Sequence, residues 1–345
     1  MAGAGMAGLS AAARARELGA EPVVLEKGDR AGGSMLLSSG VVWRYRTLED
    51  FRRECPAGDP ALQRMIVERL DDAVAWLASL GARVVANATG NPRTIGMRFD
   101  ARSLRDALVR RAGEVRLGHA LGETDGPLVL ATGGFPVRLA AERGLLLRAN
   151  RWSEGEGLDV ARARGATTVG DRDEFYGRAM PAGLGEIAEE DFVRLAQLYG
   201  RFATVTSEDG VHVFEGEPDW SETGLVQAIA RWPGGRAWYC VDTKDLRQRV
   251  RAQTVEQMIE AARAAGATVR RDADGVSVLV QASVTQTLGG LAIDERAQVL
   301  REDGSPVDGL YAAGADVGGI SNGGWSSGLA AALVFGQIAA EEALS

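Results

Sequence analysis

The glycine spacing near the first residue constrains the fold of this chain more than any other feature. Gly3, Gly5 and Gly8 fit the pattern G-x-G-x-x-G within MAGAGMAGLSAAARARELG. In this pattern the first glycine permits a tight turn, the second lets backbone approach a pyrophosphate, and the third allows close helix–strand packing. The run from Met6 to about Gly19 predicts a helix whose N-terminal N–H groups would face the phosphates.

An acidic residue follows at a spacing that suits ribose binding. The apolar run EPVVLEK ends at Glu26, 18 residues beyond Gly8. A carboxylate at the end of a second strand is placed to accept hydrogen bonds from a ribose hydroxyl. Fingerprint, helix, strand and acid in this order favour a dinucleotide-binding α/β domain. The alternative is an Ala/Gly-rich helix that binds no ligand.

Composition and charge exclude several classes of protein. A chain of 345 residues can bury a large core and is expected to form two domains. The net charge of −8, without a basic stripe, argues against a nucleic-acid partner. Cys55 and Cys240 have neither metal nor redox spacing, so we expect reduced thiols. Without a signal peptide or a membrane-spanning apolar stretch, the chain is expected to be soluble and cytoplasmic.

The periodicity of apolar residues divides the chain into two regions with different predicted secondary structure. Apolar residues at helical spacing predict a helix over 59–81, and SLRDALVRRAG predicts another, with Ser103 as its cap. From 181 to 283, predicted helices at 188–199 and 245–265 mix with short strand-like runs such as RAWYCVD. We interpret this segment as a second, α+β domain. The nucleotide domain would then be built from residues 1–180 and 284–345.

Seven collinear segments resemble the fumarate reductase/succinate dehydrogenase flavoprotein family, including its ketosteroid dehydrogenase and tricarballylate dehydrogenase relatives. They are GAGMAGLSAA, VVLEK, GGSMLLSSGVVW, LVLATGG, TQTLGG, GLYAAGADVGG and the final helix. The resemblance implies an α/β, Rossmann-like FAD-binding domain built from both termini, with an inserted α+β cap domain over the flavin. It also implies hydride transfer between flavin N5 and a carbon–carbon bond of a small molecule, with an electron partner that the sequence does not identify.

The resemblance also implies which residues bind FAD. The fingerprint turn would hold the pyrophosphate, the acid would bind the ribose, and the last helix would begin beneath the flavin pyrimidine. Taken singly, each serine in the set is more often an ordinary cap or turn residue than a ligand contact. The positions carried over are Gly3, Ala4, Gly5, Met6, Ala7, Gly8, Glu26, Lys27, Gly33, Ser34, Ser38, Ser39, Gly40, Ala131, Thr132, Gly133, Gly314, Asp316, Ser327, Gly328 and Leu329.

The chain departs from the fumarate-reducing members near the expected substrate. Gln286 takes the place of a histidine in QTLGG, and GGISNGGWSSGLA carries no arginine. Because arginine–carboxylate pairing selects dicarboxylates, fumarate and succinate are not expected substrates, and a neutral polar or apolar one fits better. The loop GGSMLLSSG has no histidine to tether a flavin, so FAD would be bound non-covalently. His119 and His212 lie outside recognisable motifs.

Catalytic candidates come from the segment that leaves the FAD domain. Hydride transfer at a carbon–carbon bond needs a proton donor or acceptor. Tyr176 and Arg178 in DRDEFYGRAMP are our candidates, together with Gln286. Tyr239 is a weaker one, because a tyrosine in an apolar strand is usually a core residue.

Two shortened segments leave the function open. Only Met1 and Ala2 precede the first glycine, where family members have a buried strand, and residues 113–127 are too few for the expected β-meander. Either another segment replaces the strand, or Met1 is not the original first residue. An FAD-binding protein without catalysis is therefore a second hypothesis. An NAD-binding dehydrogenase is the third, although it leaves Gly314 and Asp316 unexplained.

Overall fold

The chain folds as two compact units. The computed structural model describes residues 1–122 and 126–345, so three residues of the short 113–127 segment lie outside the described part. The boundaries expected at 180/181 and 283/284 fall inside two strands, Phe175–Pro181 and Gly275–Thr287. Unit 1 comprises Met1–Phe135, Asn150–Glu174 and Gln286–Ser345, and unit 2 comprises Pro136–Ala149 and Phe175–Thr285.

The secondary structure alternates between helices and mostly short strands. The helices are α1 (Met6–Glu17), α2 (Leu48–Glu54), α3 (Pro60–Ser79), α4 (Ala101–Ala112), α5 (Pro136–Arg143), α6 (Glu156–Ala163), α7 (Asp191–Arg194), α8 (Thr223–Arg231), α9 (Val255–Ala264) and α10 (Gly328–Ala343). The strands are β1 (Val23–Glu26), β2 (Val41–Tyr45), β3 (Val84–Ala86), β4 (Thr94–Phe99), β5 (Glu114–Leu117), β6 (Leu128–Leu130), β7 (Leu146–Leu147), β8 (Thr168–Val169), β9 (Phe175–Pro181), β10 (Thr204–Ser207), β11 (Arg236–Asp242), β12 (Arg249–Val250), β13 (Gln253–Thr254), β14 (Val269–Arg271), β15 (Gly275–Thr287), β16 (Gly290–Leu291), β17 (Gln298–Leu300) and β18 (Pro306–Ala312).

Unit 1 contains a mainly parallel set of strands of the Rossmann-like type. β1 pairs in parallel with β5, and β18 pairs in parallel with β6 and antiparallel with β17. The first residues of the chain join the two groups, because the Ala2 N–H donates to the Val129 carbonyl (2.9 Å) and the Gly3 N–H to the Leu25 carbonyl (2.7 Å). The neighbours of the shortened strand are therefore paired where the fingerprint begins. This arrangement confirms the predicted fold class.

Helices α1 and α10 pack on each other through small residues. A Cβ added at Gly336 would lie 2.6 Å from the Ala7 carbonyl oxygen. Most residues of both helices are buried, which explains their alanine-rich composition. The close approach brings the start of the last helix into the same unit as the fingerprint.

The helix predicted over 59–81 is confirmed as α3, whose apolar stripe is buried. The cap predicted for α4 is wrong: Asp100 is the N-cap, and it accepts the Ser103 N–H at 2.8 Å. The Ser103 hydroxyl instead accepts the N–H of Arg83 (2.9 Å). Because Asp100 begins the helix three residues earlier, Ser103 lies inside the first turn and its own N–H is the one that is capped.

Unit 2 is an α+β unit around the long strand β15. β10, β11, β15 and β14 follow one another in the sheet, with β7 and β9 also paired to β15. The two helices predicted here are shorter than expected. Residues 188–199 contain only α7 among the helices, and 245–265 contains a two-strand hairpin (β12–β13) before α9 begins. A capping box formed by Thr254 and Gln257 marks that later start.

Candidate functional site

The three fingerprint glycines meet different physical requirements. Gly3 has a φ of +103°, and a Cβ there would lie 2.2 Å from the Ala131 carbonyl oxygen. A Cβ at Gly8 would lie 1.9 Å from the Gly3 carbonyl oxygen. At Gly5, in contrast, a Cβ would meet no heavy atom within 4 Å. The fold therefore requires the first and third glycines, whereas the second borders open space at the N-terminus of α1, where an anion is favoured.

The Glu26 carboxylate ties the end of β1 to the fingerprint turn. It is 6% exposed, and its oxygens accept the N–H groups of Ala4 (2.8 Å) and Gly28 (2.7 Å). A carboxylate can accept about four hydrogen bonds in total, so acceptor positions remain for ribose hydroxyls. The predicted ribose acid is thus held rigidly beside the turn.

Lys27, the other predicted residue at this strand end, pairs with acidic side chains of the same unit. Its Nζ lies 2.7 Å from a Glu154 carboxylate oxygen and also pairs with Glu156. It lies 5.8 Å from the centroid of the Trp152 ring. Partial burial acts to lower the pKa of the Lys27 ammonium, but the hydrogen bonds and charges of Glu154 and Glu156 outweigh it and raise the pKa.

The loop after β1 packs on the fingerprint through its glycines. The Gly32 N–H donates to the Ala4 carbonyl (2.7 Å), and a Cβ at Gly33 would lie 3.3 Å from the Gly5 Cα. Gly33 and Ser34 open a short 3₁₀ helix over Gly33–Leu37. Two predicted residues, Gly33 and Ser34, are therefore on a loop that borders the fingerprint turn.

Further along this loop, Ser38 acts within a local turn. Its hydroxyl donates to the Met35 carbonyl (2.8 Å) and accepts the Gly40 N–H (3.0 Å). The Ser39 carbonyl accepts Nε–H of Arg98 at 3.1 Å. At Gly40 the φ is +71°, and a Cβ would lie 2.1 Å from the Phe99 carbonyl oxygen. These contacts shape the loop before β2.

Asp316 fixes the loop that follows β6. Its carboxylate is 2% exposed and accepts the Thr132 N–H, the Thr132 hydroxyl (2.8 Å) and the Gly134 N–H (3.0 Å). Burial raises the pKa of Asp316, while hydrogen bonds from Thr132, Gly133 and Gly134 act in the opposite direction. One carboxylate therefore joins two segments that are distant in sequence, and its bonds hold the strand end in a single conformation.

The start of α10 lies beside a small cavity within unit 1. Ser327 is the N-cap and accepts the Ala330 N–H at 3.3 Å, while Leu329 is partly buried in the first turn. A Cβ at Gly328 would lie 2.1 Å from Oε1 of Gln286. The cavity is lined by Gly314, Gln286, Thr287, Ser321 and Gly328, among others.

Tyr176 and Arg178, the other catalytic candidates, lie on β9 in unit 2. The Arg178 guanidinium lies 4.8 Å from the centroid of the Tyr176 ring and donates a hydrogen bond to the Ser221 carbonyl. Arg178 is 5% exposed. Unit 2 therefore brings these two together, whereas Gln286 belongs to unit 1.

A buried polar cluster around Arg178 was not predicted from the sequence. Glu222 is 5% exposed, and burial raises the pKa of its carboxyl to about 7 despite the charge of Arg178. Tyr199 and Tyr239 are fully buried next to each other, with ring centroids 5.6 Å apart. Burial raises the pKa of both phenols. Glu222 stands before α8 in DWSETG, which looks like an ordinary helix start, so no spacing marks it.

Comparison with known proteins identifies the family. The family model described as "FAD binding domain" matches residues 1–126 and 122–328. The chain belongs to this family. Its members are FAD-dependent oxidoreductases, and FAD is the cofactor, as the sequence predicts.

Relatives span nearly the whole chain. A probable fumarate reductase, Ifc3, of Shewanella frigidimarina (strain NCIMB 400) is 24% identical over 448 residues, covering 99% of this chain and 74% of the relative. The open conformation of a flavocytochrome c3 fumarate reductase has a TM-score of 0.72 at 22% identity, covering 99% of this chain and 77% of that chain. The 3-ketosteroid-delta4-(5alpha)-dehydrogenase from Rhodococcus jostii RHA1, in complex with 4-androstene-3,17-dione, has a TM-score of 0.70 at 17% identity, covering 100% and 96%. At these identities the structures establish the fold.

The residues of unit 1 fit the cofactor of the FAD binding domain family. Open space at Gly5 leaves room for a phosphate at the N-terminus of α1. The Thr287 hydroxyl, which lines the cavity at the start of α10, is buried and has no hydrogen-bond partner among the residues described. A buried unpaired hydroxyl is costly, and a polar edge of a bound group would satisfy it.

Where this chain departs from the fumarate-reducing members, Asn322 and Trp325 make hydrogen bonds within unit 1. The Asn322 side chain donates to the Glu174 carboxylate (2.6 Å). The Trp325 carbonyl accepts the Tyr45 hydroxyl (2.7 Å). Both contacts serve the structure of unit 1. Across the described residues, neither a cluster of potential metal ligands nor a helix able to cross a membrane was found, and Cys55 and Cys240 are both free thiols.

Proposed function

We propose that this protein is an FAD-dependent oxidoreductase that transfers hydride between flavin N5 and an activated carbon–carbon bond of a small organic substrate. When bound, FAD supplies the hydride acceptor or donor at N5. The support comes from the molecules named for its relatives, fumarate and 4-androstene-3,17-dione. Each has a carbon–carbon double bond conjugated to a carbonyl group, although the two differ in size and charge.

The observation that carries the proposal is the pair of helix N-termini in unit 1. α1 begins at open space beside Gly5, and α10 begins at Gly328 beside the cavity that Thr287 lines. α1 would bind the pyrophosphate, with Glu26 accepting from the ribose. α10 would stabilise negative charge on the pyrimidine edge of the flavin. We propose that the FAD is held non-covalently by these groups.

The residues near the cavity favour a substrate other than fumarate or succinate. Gln286 can donate and accept hydrogen bonds but cannot act as a proton donor as a histidine can. The segment that contains Asn322 and Trp325 has no arginine where the fumarate-reducing members carry one, and Asn322 donates to Glu174. A substrate with an isolated carbonyl next to the double bond would need only one hydrogen-bond donor, which Gln286 has.

Tyr176 is our candidate for the group that donates or accepts the proton that accompanies hydride transfer. Its phenol can donate a proton or accept one, and the neighbouring Arg178 holds the ring from one side at 4.8 Å.

The first experiment measures the visible absorbance of freshly purified protein and identifies any chromophore released on denaturation. A flavin spectrum with FAD released would support non-covalent binding. The protein would then be reduced anaerobically and mixed with cyclic enones, and reoxidation that depends on the enone would support the proposed reaction. Bound FAD that no unsaturated carbonyl compound reoxidises would favour a binding protein without catalysis. A colourless protein that takes up no added FAD would refute the proposal.

A further inference from the structure

Unit 2 contains two buried polar atoms that lack partners. Among the described residues, neither Oε2 of Glu222 nor the hydroxyl of Tyr239 has a hydrogen-bond partner. The other Glu222 oxygen accepts the Gly200 N–H at 2.9 Å. Tyr199, next to Tyr239, is satisfied by Gln197 at 2.8 Å. The two unpaired atoms are therefore specific positions within an otherwise well-bonded region, and such atoms are rare in native interiors.

Positive charge is in excess around these atoms. Arg178 donates to the Ser221 carbonyl, and among the described residues no ion pair of its guanidinium is found, although its charge acts on the Glu222 carboxyl. Arg148 is 7% exposed and donates to uncharged oxygens, those of Phe192 (2.9 Å) and Thr285 (2.9 Å). Burial, together with the charges of Arg178 and Arg251, lowers the pKa of Arg148 to about 10.

We propose that Arg178, Tyr239 and the carboxyl group of Glu222 form a binding site for a small carboxylate within unit 2. A carboxylate offers two oxygens in a plane and a negative charge, so it would accept from the guanidinium, the phenol and the Glu222 carboxyl in its protonated form. A cation would be repelled by the positive charge of the arginines. A water molecule would satisfy the two unpaired atoms but would not offset that charge.

Binding to this site would be coupled to the protonation of Glu222. The groups that face the Glu222 carboxyl are Arg178 and Arg251, which favour its ionised form, and Asp219, Tyr199 and Tyr239. Burial outweighs the arginines and raises the pKa of Glu222 to about 7. Below that pH Glu222 is a donor, and above it the group becomes a second anion beside the ligand. The affinity is therefore expected to fall about tenfold for each pH unit above the pKa.

The site lies within unit 2 and does not rest on the proposed hydride transfer. The test titrates the full-length protein, as purified, with sodium acetate by calorimetry between pH 6 and 9 at constant ionic strength. Acetamide, which has the same shape without the charge, is the control ligand. We expect acetate to bind and acetamide not to bind, with uptake of one proton per acetate above the pKa of Glu222.

Three variants assign the site to its residues. Glu222→Gln keeps a donor without ionisation, so its acetate affinity should not change with pH. Tyr239→Phe should bind about fivefold more weakly because one hydrogen bond is lost. Arg178→Met should lose binding at every pH, and Arg201→Met, an exposed arginine stacked on Phe202 at 4.7 Å, is its matched control. If Arg178→Met does not fold, the other two variants still decide the matter.

Several results would overturn the proposal. They are equal binding of acetate and acetamide, an affinity of the unaltered protein that does not change with pH, or the same pH dependence in Glu222→Gln. The source of the carboxylate is a further outcome. Competition between acetate and a turned-over substrate would mean that the substrate carries the carboxylate, and binding without an effect on turnover would mean a separate effector. A failure of FAD binding or of turnover leaves the titration itself unaffected, so the two proposals fail separately.

Discussion

Glu222→Gln should stabilise the protein by an amount that grows with pH. The Glu222 carboxyl is buried, one of its oxygens lacks a partner, and its pKa is raised from 4.5 to about 7. At about 1.4 kcal/mol per pKa unit, the ionised carboxylate destabilises the folded state by ~3 kcal/mol. Glutamine keeps the acceptor for the Gly200 N–H and cannot ionise, so this cost disappears.

The direction of this pH dependence follows from the pH at which the Glu222 carboxyl loses its proton in the folded and in the unfolded state. Below pH 4.5 the carboxyl is protonated in both the folded and the unfolded state, and the raised pKa of Glu222 has no effect. Between pH 4.5 and about 7 the unfolded state releases the proton while the folded state keeps it, so folding stability falls as pH rises. Above pH 7 the full cost applies. The advantage of Glu222→Gln should therefore increase by about 2 kcal/mol between pH 5.5 and 8.

The measurement is urea unfolding of both proteins at pH 5.5 and 8, followed by tryptophan fluorescence and circular dichroism. The buffers must contain no carboxylate, because acetate would itself bind the folded state if the site in unit 2 exists. Any constant cost of placing an amide at this position cancels in the comparison between the two pH values. Glu217→Gln, at an exposed position, is the control and should follow the unaltered protein. Parallel stability profiles of Glu222→Gln and the unaltered protein would refute the reasoning.

Three further predictions concern the cofactor and the reaction. Asp316→Asn replaces one acceptor oxygen by a donor against the N–H groups of the loop after β6, so it should lose ~2–4 kcal/mol of stability in urea unfolding and release FAD, whereas the exposed Asp308→Asn should do neither. Without FAD, Gly5→Ala should be as stable as the unaltered protein, because no protein atom lies within 4 Å of the new Cβ, but it should bind FAD more weakly. Gly8→Ala, whose Cβ would lie 1.9 Å from a carbonyl oxygen, should lose stability even without FAD. Equal FAD affinity in Gly5→Ala would contradict the proposed pyrophosphate position. Tyr176→Phe should retain FAD, measured by absorbance, and lose turnover; an unchanged rate would remove Tyr176 from the reaction.

The fingerprint turn of unit 1 could be predicted from the sequence because its steric requirements are local. Gly3 and Gly8 are fixed by contacts of less than 2.5 Å that any Cβ would make, so their spacing survives as a pattern in the sequence. Glu26 is found by counting from that pattern, and it does contact the fingerprint turn through the Ala4 N–H. What spacing did not predict is how each residue acts. Asp316, one of the residues expected to bind FAD, makes its described hydrogen bonds to the loop after β6.

The shortened first strand shows a limit of reasoning from motif length. From the sequence, two residues before Gly3 looked too few to stand between two buried strands. In the structure Ala2 donates to the Val129 carbonyl of β6, and the N–H groups of Met1 and Gly3 donate to carbonyls of β1, so these residues pair with both neighbouring strands. β6 has three residues and β1 has four, so these two strands need few hydrogen bonds from the strand between them.

Unit 2 was the least predictable part, and Glu222 shows why. Its neighbours Asp219 and Ser221 form the side-chain contacts of an ordinary helix start, which is what local sequence rules describe. The properties that set Glu222 apart are its burial beside two tyrosines and its left-handed backbone, with a φ of 54°. The burial involves Arg178 of β9 and Tyr239 of β11, which are distant in sequence, and neither property has a periodicity. A carboxyl group that is buried, has one oxygen without a partner and sits on a left-handed backbone costs stability, so it is expected where binding or catalysis compensates. The pH dependence of unfolding of Glu222→Gln tests the effect of this residue on stability, and the acetate titration tests its role in binding.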